Sequence, residues 1–440
     1  MAFYTPPPKN PDETAFLVGV KLPGSTFEEE QENIEELALL ATSAGATVAG
    51  SIIQQRTRLD GSTYIGKGKL AELTDTVKEK GIDLVIFDDD LAPAQARTIE
   101  KQVGVNVIDR TELILDIFSK RARTKQSRMQ VEIAQLTYAL PRLRRMWDHL
   151  SRQAGGIGTK GPGETQLEVD RRKIRDRISS LKRELAKIES RTRERRKNRG
   201  ELFNVTIVGY TNAGKSTLLN RLSGSDVLES GRLFSTLDST TRRVELPGGS
   251  AFLLTDTVGF IRKLPAHLVA SFHATLLDVE EAHLLLHLVD SASPRCEDKI
   301  TIVNGVLHKV LGDRPTERSE GSTPTLLVLN KADLLEDEAS ERLSKKFPDA
   351  VRISAATGEG TEALLETLGR EVRKGTAFAR VTVPAADGRT SALVETAGQV
   401  IRREVEDESV IYTVRLLRKD VGRLERSADV IILHEKEEES

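Results

Sequence analysis

The chain has 440 residues, 38% of them hydrophobic, with 65 Lys+Arg against 67 Asp+Glu and one cysteine. That length exceeds one typical domain and predicts two to four, while the lone Cys296 excludes an internal disulfide framework and a cysteine-based zinc site. No apolar run approaches the ~20 residues that a membrane span requires, and MAFYTPPPKNPDET is no secretory signal, so a cytoplasmic location is expected.

Residues 1–118 read as a small α/β domain. AFLVGVKL and GIDLVIFDDD are strand-like runs. Between them an amphipathic helix covers FEEEQENIEELALLATSAG, with Gly45 as its terminus, and IGKGKLAELTDTVKEKG reads as a loop and a second helix. The lysines of TYIGKGKL offer contact to an anion, although a surface turn is the commoner fate of such a loop.

Charge separates sharply in the next segment. Residues 119–200 hold 24 Lys+Arg against 9 Asp+Glu, leaving 41 against 58 elsewhere. A basic block in an otherwise acidic protein favours contact with a polyanion such as nucleic acid over a merely solvated face. Ile133, Leu136, Leu140, Leu143, Trp147 and Leu150 recur at alternating spacings of 3 and 4, as do Ile174, Ile178, Leu181, Leu185 and Ile188. These are heptad seams, and two such helices joined by one loop are expected to pair antiparallel, with Pro141 kinking the first. The second helix would reach roughly 40 Å, placing residues 154–166 at a tip.

That tip contains GIGTKG, a match to G-x-G-x-x-G. A dinucleotide fingerprint needs a strand before it and a helix opening at its third glycine. Here a helix precedes it and Pro162-Gly163 follow, which argues against that reading. What remains is a glycine-rich tip carrying Thr159, Lys160 and Gln166, suited to close approach to RNA, or a long hairpin turn without a ligand.

The phosphate loop lies further on. FNVTIVGYTNAGKSTLLNRL contains an apolar strand, then Gly209, Tyr210, Thr211, Asn212, Ala213, Gly214, Lys215 and Ser216, then a helix. This is G-x-x-x-x-G-K-S in its required context: backbone N–H groups wrap the phosphates, Lys215 reaches the β and γ oxygens, and Ser216 offers a hydroxyl to Mg²⁺. AFLLTDTVGF ends a strand in Asp256, Thr257, Val258 and Gly259. Its carboxylate suits the magnesium shell through water, and the Gly259 amide suits a γ-phosphate. TPTLLVLNKAD gives Asn330, Lys331, Ala332 and Asp333. The Asp333 carboxylate accepts both N1–H and N2–H₂ of guanine, a pattern adenine does not offer. VRISAAT sets Ser354, Ala355 and Ala356 at another strand end, where a backbone amide reads O6. In this order the motifs specify a guanine-nucleotide domain. LFSTLDSTTRR offers Thr236, Thr240 or Thr241 as the threonine of a γ-phosphate-ordered switch. Phe260 occupies the place where many signalling GTPases carry a water-orienting glutamine, so slow intrinsic hydrolysis completed by a partner, a cation or another residue is expected.

The C-terminal stretch 376–440 reads as a short α/β unit, with an amphipathic helix near SALVETAGQVIRREVED, a strand over VIYTVRLL and an acidic tail. The whole is α/β. A small α/β domain (1–118) and a long antiparallel helical hairpin (119–200) precede a P-loop domain with a mostly parallel sheet (203–375), and an accessory domain (376–440) follows.

TYIGKGK, the run from IDRTELILDIFSKRARTKQSRMQVEIAQL through GGIGTKGPGETQLEVDRR, GYTNAGKSTL, FSTLDSTTRR, DTVGFI and NKAD together resemble the HflX-type GTPases over nearly the full length. The resemblance implies that Phe234, Ser235, Thr236, Leu237 and Asp238 form switch I. It also implies that Ser216 and Thr236 are the magnesium ligands and that Lys215, Thr236 and Gly259 make the catalytic contacts. The switch motif's usual proline is Ser239 here. Asn212 matches an asparagine that helps hold K⁺ in related GTPases. Further implications are GTP-dependent binding of the large ribosomal subunit through the N-terminal domain and hairpin, and splitting of ribosomes under stress. A monomer and ATP binding by the N-terminal domain belong to the same expectation. A subunit-assembly or storage GTPase and a non-ribosomal signalling GTPase remain the alternatives.

Overall fold

The computed structural model describes residues 13–143, 163–197, 202–224, 233–234, 236–247, 250–263, 278–311 and 323–433. The chain divides into two compact units. The first takes residues 1–185, 230–237 and 263–272; the second takes 186–229, 238–262 and 273–440.

In the first unit the strands β1 (Thr14–Lys21), β2 (Thr47–Gln55), β3 (Leu84–Phe87) and β4 (Asn106–Asp109) form a parallel sheet of order β2-β1-β3-β4. β1 and β3 are apolar almost throughout, as strands covered on both faces must be. Helix α1 (Phe27–Ala44) opens on a Thr26–Glu29 capping box, carries Glu28, Glu29 and Glu30 in its first turn and closes on left-handed Gly45. α2 (Lys67–Lys80) and α3 (Pro93–Val103) follow, and Leu70, Leu73, Ile99 and Val103 pack on Phe16, Val18, Val85 and Val107. β2, α3, β4 and α4 (Arg110–Arg121) are elements that the sequence reading left undrawn.

α5 (Lys125–Ala139) and α6 (Gly163–Lys197) form the helical pair. Arg177 holds Glu132 with two hydrogen bonds, Nε at 2.7 Å and Nη2 at 3.1 Å, while Lys125 pairs with Glu184. A partner number that falls as the other rises is the signature of antiparallel helices. Ile174 and Leu181 are buried, the predicted seam. At Pro141 the helix is interrupted as expected: α5 runs to Ala139, a 3₁₀ turn, Leu140–Arg142, follows, and Leu143 is helical again, since proline offers no N–H and its ring crowds the preceding turn. Thr159, Lys160, Trp147 and Leu150 lie outside the described residues; Gly163 to Gln166 begin α6.

The second unit contains β5 (Asn204–Gly209), α7 (Lys215–Ser223), β6 (Thr240–Glu245), β7 (Ala251–Asp256), β8 (Leu284–Asp290), α8 (Cys296–Leu311), β9 (Thr325–Asn330), α9 (Asp337–Lys346), β10 (Val351–Arg352) and α10 (Thr361–Gly375). The sheet order is β10-β9-β8-β5-β7-β6, parallel except for β6 against β7. Val205, Ile207, Leu254, Leu286 and Val328 from the strands meet Leu218, Leu364 and Leu368 from α7 and α10 in one core.

β11 (Thr376–Pro384), α11 (Gly388–Ala397), β12 (Gly398–Glu406), β13 (Ser409–Leu417), α12 (Arg418–Leu424) and β14 (Asp429–Ile432) complete the same unit as an antiparallel sheet of order β12-β13-β11-β14. Here the sequence reading is corrected. The helix expected through SALVETAGQVIRREVED stops at Ala397, and Gly398–Glu406 is a strand paired with β13. Gly398 breaks the helix, and the β-branched, charge-alternating segment after it gains more from cross-strand pairing than from another helical turn.

Candidate nucleotide-binding site

The second unit's sheet places its chemistry at the carboxyl ends of its strands, the edge where open α/β sheets bind ligands. β5 leads into the phosphate loop, and α7 begins at Lys215 with Gly214 as its N-cap in left-handed backbone, φ +92°. A Cβ on Gly214 would stand 2.3 Å from Asn330 Nδ2, so only glycine admits the neighbouring NKAD loop. Asn330 Nδ2 donates to the Ala213 carbonyl at 2.7 Å, and its Oδ1 accepts from the Ala355 amide at 2.9 Å. One buried amide therefore ties the phosphate loop to the NKAD segment and to the segment Ser354–Ala356.

Lys215 is buried, its Nζ donating to the Tyr210 carbonyl at 2.9 Å and towards that of Gly209 at 3.4 Å. Burial pushes its ammonium below the ordinary lysine range, against the pull of Asp256. Ser216 Oγ donates to Asp256 Oδ2 at 2.7 Å, joining the start of α7 to the end of β7. Two hard oxygen groups, one of them a carboxylate, match how Mg²⁺ is held with substrate phosphates; the described residues contain no cluster of three His, Cys, Asp or Glu side chains that would hold a metal unaided.

Gly259 sits against the same loop. A Cβ there would lie 2.8 Å from the Thr211 Cα and 3.0 Å from Lys215 Nζ. The next residue, Phe260, pairs its backbone with the loop, its N–H donating to Gly209 at 3.0 Å and its carbonyl accepting from Thr211 at 2.8 Å. Its ring is buried, so the residue anchors the segment and offers water no polar atom. Thr257 Oγ1 donates to Ile207, fixing the DTVG turn on β5. Asp333 is exposed in a 3₁₀ turn after Lys331, and Ser354 and Ala355 are buried beside the Asn330 bridge while Ala356 is exposed.

Two supporting side chains, Arg221 and Asp290, escaped the sequence reading, and Tyr210 of the phosphate loop adds a further contact. Arg221 on α7 donates to the carbonyls of Ala355 and Ala356; an arginine on a helix otherwise facing a core was the available signal. Asp290 pairs with Lys331 at 2.6 Å, and its signal is an acid closing the apolar run LLLHLVD, as Asp256 closes its own. The Tyr210 hydroxyl accepts from the Arg262 amide at 2.8 Å. Of the switch I residues, Phe234, Thr236 and Leu237 group with the first unit, where the Phe234 ring meets Phe118 edge-on at 4.7 Å; Asp238 belongs to the second, and Ser235 lies outside the described residues.

Comparison with known proteins agrees with this geometry. Residues 31–119 match the family model described as GTP-binding GTPase N-terminal, residues 121–199 the GTP-binding GTPase middle region, and residues 204–331 the 50S ribosome-binding GTPase. The GTPase HflX of Caldanaerobacter subterraneus is 44% identical over 87% of this chain and 87% of its own. That of Magnetococcus marinus is 43% identical over 94% and 95%, and that of Escherichia coli 40% over 92% and 95%. Identity at this level across most of both chains, joined to the matching GTPase family models, establishes that the chain belongs to the HflX GTPase family and hydrolyses GTP.

Proposed function

We propose that this GTPase works as a nucleotide-controlled binder of the large ribosomal subunit that separates ribosomal subunits under stress. The observation that carries the reading is the antiparallel pair α5 and α6: its apolar seam at Ile174 and Leu181 is buried, while its segment holds 24 basic against 9 acidic residues. A rigid basic arm of this kind suits an RNA phosphate backbone, and its binding should weaken steeply as salt rises. The relatives' shared name and the 50S ribosome-binding description of the family model add support. Four domains, 1–118, 119–200, 203–375 and 376–440, divide the labour in this reading.

GTP arrives with its polyphosphate wrapped by the loop Gly209 to Ser216 and its base read by Asp333. Ser216 and Thr236, with Asp256 through water, would hold Mg²⁺, which would supply charge neutralisation at the phosphates. Lys215 holds the transferred group, the Gly259 amide donates to the γ-phosphate, and Thr236 orders switch I only while that phosphate is present. Phe260 leaves the attacking water without a polar side chain at its position, so the ribosome, or a K⁺ ion beside Asn212, completes catalysis. A ligand shifts a switch only through unequal affinity for its two states; GTP- and GDP-loaded protein therefore bind ribosomes unequally.

The test is GTP turnover in K⁺ and in Na⁺ buffer, with and without purified large subunits, alongside co-sedimentation in both nucleotide states. Strong stimulation and GTP-dependent sedimentation are expected. Unstimulated turnover, or equal sedimentation in the two states, overturns the reading; sedimentation with immature subunits alone favours an assembly role.

A further inference from the structure

The C-terminal sheet carries a surface that the GTP site does not use. From Thr376 the elements run strand, helix, strand, strand, helix, strand, and the order β12-β13-β11-β14 puts the first and third of these strands at the centre. α11 and α12 cover one face, where Val394, Val421 and Leu424 pack on Ala379, Val381, Tyr412 and Val414. The register sends the alternate residues to the other face: Phe378 opposite Arg415, Arg380 opposite Thr413, and Thr382 opposite Ile411. β12 adds Arg402 opposite Thr413, and β14 adds Ile431 opposite Arg380.

An open antiparallel face is ordinarily just solvated, with charges of both signs intermingled. This one is graded along its strands. Glu404, Glu406 and Asp429 stand at the end marked by Thr382 and Ile411, with Glu404 holding Arg402 at 2.8 Å. The other end centres on half-buried Phe378, whose ring has the Arg415 guanidinium 5.8 Å from its centroid and Arg380 two residues along the strand. Arg380 is exposed, and Ile431 beside it is 52% exposed. A half-buried aromatic ring on a central strand, flanked by guanidinium groups with Arg380 exposed, matches unpaired nucleic acid: bases stack on the ring and on Arg planes while phosphates meet the charges. Four-stranded sheets with aromatic residues on their central strands use this mode for single-stranded RNA.

We propose that the face around Phe378, Arg380 and Arg415 binds single-stranded RNA, a base stacking on Phe378 with the backbone running towards Arg402. This surface is independent of the basic helical pair and does not rest on the large-subunit reading.

The experiment uses the full chain loaded with GDP and a short, fluorescein-labelled, uridine-rich oligoribonucleotide, with affinity read by anisotropy at low salt. Phe378→Leu keeps the apolar volume and removes the π face, and Arg380→Gln removes charge at an exposed position. Each is expected to weaken binding about fivefold or more, the equivalent of one lost stacked base or its flanking cation, with GTP turnover unchanged. Because the helical pair also attracts RNA, photocrosslinking with 5-bromouridine in the oligonucleotide locates the contact. A crosslinked peptide containing Phe378 is expected. Unchanged affinity in Arg380→Gln with crosslinks confined to residues 119–200 overturns the proposal, and it would mean that the face serves a protein partner or none. Should Phe378→Leu lower folding stability, Arg380→Gln and the crosslink map decide alone.

Discussion

Two parallel sheets in this protein finish their strands with charged side chains, and they do opposite things with them. At the ends of β3 and β4 in the first unit, Asp88 meets the buried Arg110 at 2.6 Å, Arg110 also holds Glu36, and Asp109 caps α4 while pairing with Arg142 at 3.2 Å. Acid and base satisfy one another there. At the ends of β5, β7 and β9 in the second unit, an asparagine ties the loops together, while Lys215 lies buried on backbone carbonyls and below the ordinary lysine range. The first arrangement is closed, and its charges are structural. The second holds a buried cation on backbone carbonyls, and the proposed function gives it the substrate's phosphates as its matching anion.

The largest expected effect comes from the open sheet. Asp333→Asn keeps the size of the side chain but places an N–H₂ donor against the N2–H₂ of guanine, whereas xanthine presents a carbonyl there. The ratio of GTP to xanthosine triphosphate affinity should fall by about 10⁴–10⁵, the discrimination of a site built on hydrogen bonds. Competition binding measures it, and retained guanine preference would remove Asp333 from the reading role. Arg110→Met tests the closed sheet. Taking one member from a buried ionic network strips Asp88 and Glu36 of their shared guanidinium, with Lys263 still beside Asp88, and should cost about 3 kcal/mol, read by denaturant unfolding, with nucleotide affinity unaltered. A loss of nucleotide affinity at full stability would reverse the contrast between the sheets. Lys215→Ala sharpens it: turnover should drop about 10²–10³-fold, the cost of one lost charge-stabilising donor, while nucleotide-free stability holds or rises because an awkwardly buried ammonium has gone.

Much of the open site is written locally. The phosphate loop follows from Gly209 to Ser216 in strand–loop–helix context, which the structure keeps. The closed network is not local: Glu36, Asp88 and Arg110 are far apart in sequence, and nothing in IDRTE marks Arg110 as buried rather than exposed. Asn330 illustrates the same limit. Its place in NKAD was legible, but its bridge from Ala213 to Ala355 is a tertiary fact. β12 was misread because helix and strand periodicities overlap in a short stretch of mixed valines and charges, and the deciding interaction, pairing with β13, comes from later residues. The hairpin was read from its seam, and the interruption at Pro141 took the form of a 3₁₀ turn over Leu140–Arg142.

A smaller effect probes the interior behind the open site. His287 lies in the middle of β8, 2% exposed, and burial pushes its imidazole down to about 4 in spite of a hydrogen bond with Asn304. The unfolded chain takes up the proton near 6.5, so between about pH 4 and 6.5 the unfolded state binds more protons than the folded one. Stability is fully present above that window and falls as the pH drops through it, by about 2 kcal/mol between pH 7 and pH 5. Asp88 and Asp109 in the first unit act the other way: burial raises both carboxyls, so their ionisation on raising the pH disfavours the folded state. Raw pH curves therefore mix two opposing slopes, and the useful measurement is the difference between the parent and His287→Leu, followed by denaturant unfolding of the second unit's transition. The leucine variant should lose the acid-side fall while the first unit's behaviour stays unchanged. Parallel curves for parent and variant would mean that the folded sheet accommodates a charged imidazole, and that its interior is less dry than the packing around β8 implies.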